Sequence, residues 1–178
     1  MPRTPRSTRS PVRLPRPWLP VLAPARGPTA VATYLRVHLY GAAVGRSLLD
    51  RAITAVDSGD RSRLVPLRAQ FDQEITAASR LLSQVTPVGT PGRRLLGLSS
   101  TVVLSAVPVG PALGDPLARL AVLEALRTLV VAKRSMWDLL AESRAADPAV
   151  LLDLAEQAAA QELLLEELRR TYGLAVFR

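Results

Sequence analysis

Polar side chains stand at positions that helical spacing assigns to the core. His38, Glu74 and Lys133 each lie on the apolar stripe of a different predicted helix, and Gln161 or Glu162 does so on a fourth. All but His38 fall near the middle of their helices, so they could meet at one level of a helical bundle. Since burying such groups unpaired is costly, we predict a buried polar cluster of these five residues, hydrogen-bonded to one another.

Inward-facing carboxylates and an imidazole are also donor types of a di-metal site. Bundle sites of this kind take a Glu from each of two helices and Glu-x-x-His from each of the other two. This chain has one histidine, no Glu-x-x-His and no Glu on the first helix, and Ala159 stands where a histidine after Glu156 would lie. Lys133 would add a positive charge beside the metals. We therefore expect no metal and no cofactor. A metal-dependent oxidase remains the least favoured alternative, with the ligands His38, Glu74, Glu124, Glu156 and Glu162.

Other catalytic patterns are missing from the sequence. The chain has no cysteine and a single histidine, so the sequence does not indicate a nucleophile paired with a catalytic base. No glycine pattern of a phosphate-binding loop occurs. We predict that the protein is not an enzyme.

Four long amphipathic segments position the polar residues. Helix 1 is predicted over 29–56 and helix 2 over 62–85, with Ser58-Gly59-Asp60 as the stop between them. Helices 3 and 4 open with Asp115-Pro116 and Asp147-Pro148, where the Asp is an N-cap and the Pro an N1 residue. The composition agrees, because 48% of the residues are hydrophobic but only 4% are aromatic. A core of Leu, Val and Ala favours helices packed on helices.

The lengths of the connections predict the topology. Helices 1 and 2, and helices 3 and 4, are joined by a few residues and should be antiparallel neighbours. Residues 86–114 form a longer connection, which suffices to retrace a helix of about 25 residues, about 37 Å long. We predict an all-α fold, a ferritin-like up-down four-helix bundle over 29–178, with a long crossover between helices 2 and 3.

The first 28 residues differ in composition from the remainder. They hold six arginines, eight prolines and no acidic residue, whereas the remainder has 17 basic and 15 acidic residues. Because proline lacks an amide donor and fixes φ, residues 1–28 are predicted to be a disordered or polyproline-like tail. Such a tail could bind nucleic acid or an anionic membrane, or be merely solvated, or reflect a start codon placed too far upstream. Prolines also interrupt the apolar stretch that a signal peptide would need.

An uncharged run of 20 residues lies between Arg94 and Asp115. Its length is near that of a membrane span, but Pro108, Gly110 and Pro111 break its second half. We interpret its first half as a short helix lying on the bundle, and 95–109 as a possible interaction surface. The absence of cysteine suits a cytoplasmic protein, which is the location we predict.

Three sequence runs carry a resemblance. The run His38-Leu39-Tyr40-Gly41-Ala42-Ala43-Val44-Gly45 resembles the first-helix motif of ferritin-like helical-bundle proteins of GC-rich bacteria, most of them uncharacterised. Two further runs are similar to that family. On helix 3 the run is 123–127 with Lys133 and Trp137, and on helix 4 it is 155–157 followed by 165–169. The resemblance covers about 30–172 and is loosest over 88–114. It implies the ferritin-like fold and a bundle core without metal, and it implies no activity.

These observations lead to one favoured function. We expect a non-catalytic helical bundle that acts through protein–protein interaction, with a protein partner or as a homo-oligomer. The main alternative is a module that binds nucleic acid or an anionic membrane through residues 1–28.

Overall fold

Every regular element in the described part of the chain is a helix. The computed structural model describes residues 26–86 and 114–178. The helices there are α1 (Pro28–Ala55), α2 (Ser58–Leu64), α3 (Leu67–Val85), α4 (Pro116–Glu142) and α5 (Pro148–Phe177). The all-α prediction is confirmed. No helix in these two ranges has the length and hydrophobicity that a bilayer-spanning segment needs. The tail up to residue 25, most of the predicted crossover and the 95–109 segment lie outside the described residues.

The two Asp-Pro pairs start helices as predicted. The Asp115 carboxylate accepts a hydrogen bond from the Leu117 amide at 3.0 Å, and the Asp147 carboxylate accepts one from the Ala149 amide at 3.0 Å. Each carboxylate satisfies an amide that has no partner within its own helix, and proline follows at the first helical position. The first helix begins at Pro28, one residue before the predicted start. It follows Gly27, whose φ of 60° favours glycine.

The predicted second helix is wrong in its first part. Ser58-Gly59-Asp60 is not a stop but the first turn of the short helix α2, and α3 begins only at Leu67. The break falls at Pro66, which has no amide hydrogen to donate to the preceding turn and whose ring crowds that turn. Pro66, the fifth residue of the predicted second helix, therefore divides two helices.

Helix α1 runs antiparallel to α3. Arg46 forms an ion pair with Asp72 at 3.0 Å, and Arg68 forms one with Asp50 at 2.8 Å. As the residue numbers of the partners rise along α1, from 46 to 50, they fall along α3, from 72 to 68.

Helix α5 runs antiparallel to α4, and these two helices make the most extensive interhelical contact among the described residues. Arg169 lies 3.5 Å from Glu124, whereas Glu162 lies 3.2 Å from Arg134, further along α4. The carboxyl end of α5 reaches the start of α2, where Tyr172 donates to the Asp60 carboxylate at 3.0 Å.

The apolar core falls into two clusters of buried side chains. The first lies towards the carboxyl end of α1 and includes Leu48, Phe71, Leu126, Leu165 and Leu168. The second lies towards the other end of the bundle and includes Leu35, Ala78, Trp137, Leu140 and Ala158. On α3, α4 and α5, the positions between the clusters are taken by polar residues.

Candidate functional site

A polar layer separates the two apolar clusters. We define it as Glu74 of α3, Lys133 of α4 and Gln161 of α5. Glu74 is only 3% exposed and Gln161 2%, while the Lys133 side chain is 15% exposed. Lys133 donates to one oxygen of Glu74 and to the side-chain oxygen of Gln161. Three helices thus meet through side chains that satisfy one another.

Two glutamines complete the hydrogen bonds of the polar layer. The second oxygen of Glu74 accepts from Gln161 Nε2 at 2.9 Å and from Gln157 Nε2 at 3.2 Å. Gln161 Nε2 also donates to Gln70 Oε1 at 2.9 Å. Both oxygens of the buried carboxylate are therefore occupied by donors from α4 and α5, as burial of a charge requires.

Lys133 is subject to two opposite effects: burial disfavours its positive charge, and the neighbouring carboxylate stabilises it. Burial lowers the pKa of the Lys133 ammonium, and the neighbouring Glu74 carboxylate counteracts part of that effect. The Lys133 Nζ also lies 4.1 Å from the centre of the Phe71 ring, a cation–π contact. Two hydrogen bonds and this contact thus hold the ammonium in place.

His38 is not part of the polar layer, which corrects the prediction. It lies half-buried on α1, with its ring 4.5 Å from that of Tyr34 in an edge-to-face arrangement. Burial lowers the pKa of His38, so the imidazole is neutral at neutral pH. Since it lies on α1 about a turn before the level at which the other three helices meet, it lines a neighbouring cavity instead.

Glu162 does not belong to the polar layer either. It lies on the flank of α5, where it accepts from Arg127 at 3.0 Å and from Arg134 at 3.2 Å. Successive residues of a helix point about 100° apart, so the inward direction of Gln161 turns Glu162 towards the surface. Of the two alternatives on this helix, the structure selects the glutamine.

The ligand set of the oxidase alternative is dispersed. Glu124 and Glu156 are exposed on the outside of α4 and α5, while Glu74 is bound to Lys133. Within residues 26–86 and 114–178, no three His, Asp or Glu side chains are grouped so that they could hold a metal ion.

A cavity of about 210 Å³ lies beside the polar layer, between α1, α3 and α4. On the α1 side it is walled by the small residues Gly41, Ala42 and Gly45. A Cβ atom added at Gly41 would meet no atom within 4 Å, whereas one at Gly45 would touch Phe71 and Leu129 at 3.7 Å. The missing side chains of α1 therefore create the space.

The outer face of α5 carries an exposed apolar stripe. Leu152, Leu163 and Leu174 are 50%, 73% and 50% exposed, and they are spaced by 11 residues, close to three full turns. The same helix buries leucines on its inner face. Between the leucines, the same outer face carries the charged residues Glu156, Glu167 and Arg170.

Sequence reasoning missed several of these residues. Gln70 and Gln157 each precede a predicted polar residue by four positions, a spacing that places them on the same helix face. That signal was available. The spacing of the exposed leucines was available as well, but the cavity depends on the packing of three helices and had no local signal.

Comparison with known proteins identifies no relative: no protein-family model, no curated protein and no solved structure matches this chain.

Proposed function

We propose that this protein is a non-catalytic helical bundle that acts through protein–protein contact, as a homodimer joined along the outer face of α5. The observation that carries the proposal is the stripe of Leu152, Leu163 and Leu174. The stripe extends over about 33 Å. Three exposed leucines in line on one helix face, with charged residues of both signs between them, suit the mixed apolar and polar surface of a protein–protein interface.

The stripe is complementary to itself in an antiparallel arrangement. Leu163 lies midway between Leu152 and Leu174, so a two-fold axis at Leu163 brings Leu152 against Leu174 of the second copy. The same axis brings Glu156 against Arg170, which are opposite in charge and both exposed. A two-fold interface needs this self-matching of one surface, and the match in charge favours a second copy over an unrelated partner.

Sedimentation equilibrium of the full chain tests the homodimer. The native sequence should sediment as a dimer, and Leu163→Glu should sediment as a monomer, because two carboxylates would then face each other at the axis. The control is Leu139→Glu on α4, a leucine that is 51% exposed and lies outside the stripe, which should leave the dimer intact.

A charge exchange tests the antiparallel register. Glu156→Arg alone should weaken the dimer, because each new arginine faces Arg170 of the other copy. Combining it with Arg170→Glu should restore the dimer, since both pairs are then opposite in charge again. A native chain that stays monomeric at every concentration would refute the homodimer, and a failed rescue would refute the register.

We also propose that the helices follow the ferritin-like plan, with residues 86–114 as the crossover. The directions of the helices support this plan. Arg63 pairs with Glu167 and Glu74 pairs with Gln161, so α3 is antiparallel to α5. Since α5 is also antiparallel to α4, α3 and α4 run parallel. With α3 and α4 parallel, the connection has to return over about 28 Å. Replacing 86–114 with four Gly/Ser residues, which together with Asp115 span at most about 20 Å, should prevent folding, whereas 29 Gly/Ser residues should permit it. Equal folding of both variants would refute the crossover.

The proposal includes a cytoplasmic location and leaves one alternative from the sequence. The arginines of residues 1–28 could bind nucleic acid or an anionic membrane, and nearly all of this tail lies outside the described residues. Binding that falls steeply with salt and vanishes when 1–28 are deleted would favour that alternative. Dimerisation through α5 should not depend on the tail.

A further inference from the structure

The cavity beside the polar layer has the size of a small-molecule site. It measures about 210 Å³ and is partly open to solvent. An apolar cavity of about 150 Å³ is sufficient to bind benzene. The space here, lined mainly by apolar side chains, would thus accept a ligand of about eight to ten heavy atoms. The exposed residues Val37 and Ala132 lie on its wall and give it access to solvent.

The charges on the cavity wall are already compensated. Lys133 is bonded to Glu74 and Gln161 and lies against the Phe71 ring. The second oxygen of Glu74 accepts from Gln161 and Gln157. A charged ligand would have to disrupt these contacts in a poorly solvated place, so the wall favours a neutral molecule.

Among the described residues, one buried polar atom of a cavity-lining side chain lacks a partner. Trp137 lines the cavity and is only 1% exposed, and among the described residues its buried Nε1 has no hydrogen-bond acceptor. Buried donors are nearly always satisfied, because an unpaired one loses its hydration without replacement. A ligand oxygen would supply the missing acceptor.

We propose that this cavity binds a small neutral molecule, largely apolar and carrying one carbonyl oxygen that accepts a hydrogen bond from Trp137 Nε1. The ligand class is thus an aryl or branched-alkyl ketone, or a similar neutral carbonyl compound. The polar layer forms one wall of the site without contributing a free charge, and the small residues of α1 provide the room.

Acetophenone is a suitable probe, with ethylbenzene as its analogue without the oxygen and benzoate as its anionic analogue. Isothermal titration and saturation-transfer NMR on the full chain should show acetophenone binding at one site per chain. It should bind about tenfold more tightly than ethylbenzene, the effect of one net hydrogen bond. Benzoate should bind more weakly than acetophenone.

Two variants locate the site. Trp137→Phe should lower acetophenone affinity to that of ethylbenzene, without weakening ethylbenzene itself. Gly41→Leu should abolish binding of both by filling the cavity. Gly59→Leu is the matched control, since Gly59 lies on α2, away from the cavity and with open space around it, and it should bind like the native chain.

Each part of the proposal can fail separately. No binding of either neutral probe, or binding that survives Gly41→Leu, would refute the site. Equal affinities of acetophenone and ethylbenzene would refute the role of Trp137 Nε1, and stronger binding of benzoate would refute the preference for a neutral ligand. Leu163→Glu should bind acetophenone normally, because the stripe on α5 does not line the cavity, so this result does not depend on the dimer.

Discussion

Separating Glu74 from Lys133 should destabilise the protein strongly, although removing both should not. In Lys133→Met, the Glu74 carboxylate stays almost fully buried and loses its cation, which typically costs about 3–5 kcal/mol. Gln157 and Gln161 still donate to the carboxylate, so we expect a value near 3 kcal/mol. In the double variant Glu74→Leu/Lys133→Met no charge is buried, and Gln161 Nε2 keeps Gln70 as a partner, but the Gln161 side-chain oxygen loses the Lys133 donor. Its stability should lie within about 2 kcal/mol of the native value, closer to it than that of Lys133→Met.

The assay is urea unfolding followed by far-ultraviolet circular dichroism, at one protein concentration because dimerisation would contribute to stability. The singles and the double variant together give the coupling energy of the pair. An exposed pair supplies the control: Arg63→Met, which breaks the contact with Glu167, should leave the midpoint nearly unchanged. Small, equal effects of Lys133→Met and Glu74→Leu would refute a buried polar layer.

The same pair predicts a dependence on pH. Because burial lowers the pKa of Lys133 below its ordinary value of 10.5, the unfolded chain binds this proton more tightly than the folded chain. Stability should therefore rise with pH in the range just below 10.5. Tyr172, whose pKa is raised by burial, acts in the opposite sense. Tyr172 contributes equally in the native chain and in Lys133→Met. The difference between their free energies of unfolding, followed against pH, therefore reports on Lys133 alone.

Three further predictions concern single positions. Asp147→Ala removes the bond to the Ala149 amide and should lower the free energy of unfolding by about 1 kcal/mol in urea; no change would refute the cap. Gly41→Ala should raise stability by about 0.5–1 kcal/mol, measured by thermal unfolding without ligand, because its Cβ meets open space; a loss would contradict that geometry. The pKa of Glu166 is lowered to about 2, chiefly by a hydrogen bond from Arg169. Its contribution is present above the ordinary value of 4.5 and lost as pH falls towards about 2, so an acid titration of Glu166→Gln should lack this component.

The sequence predicted the helices well where the signals are local. The carboxylates of Asp115 and Asp147 lie within reach of their own helix amides, so each cap is specified by adjacent residues. The break at Pro66 was missed because proline is compatible with both a first turn and a helix end. Which of the two occurs depends on the contacts of α2, where Tyr172 bonds to Asp60 from a distant part of the chain.

The polar layer was predictable in part. Periodicity places Glu74 and Lys133 among apolar residues, and the cost of burying an unpaired charge implies that they find partners. The sequence left open whether Gln161 or Glu162 points inward and whether His38 joins them. A rotation of 100° separates the first two, and helix packing fixes that rotation.

By itself, the sequence thus determined the helical class, the helix starts and the types of residue that must be reconciled in the core, since these follow from periodicity, capping and the cost of burial. Only the tertiary structure decided which polar groups meet, where α1 leaves a cavity beside Trp137, and which leucines of α5 stay uncovered. The physical reason is that neighbours far apart in the chain are set by the rotation and separation of whole helices. Those quantities result from all packing contacts together, and no short run of residues encodes them.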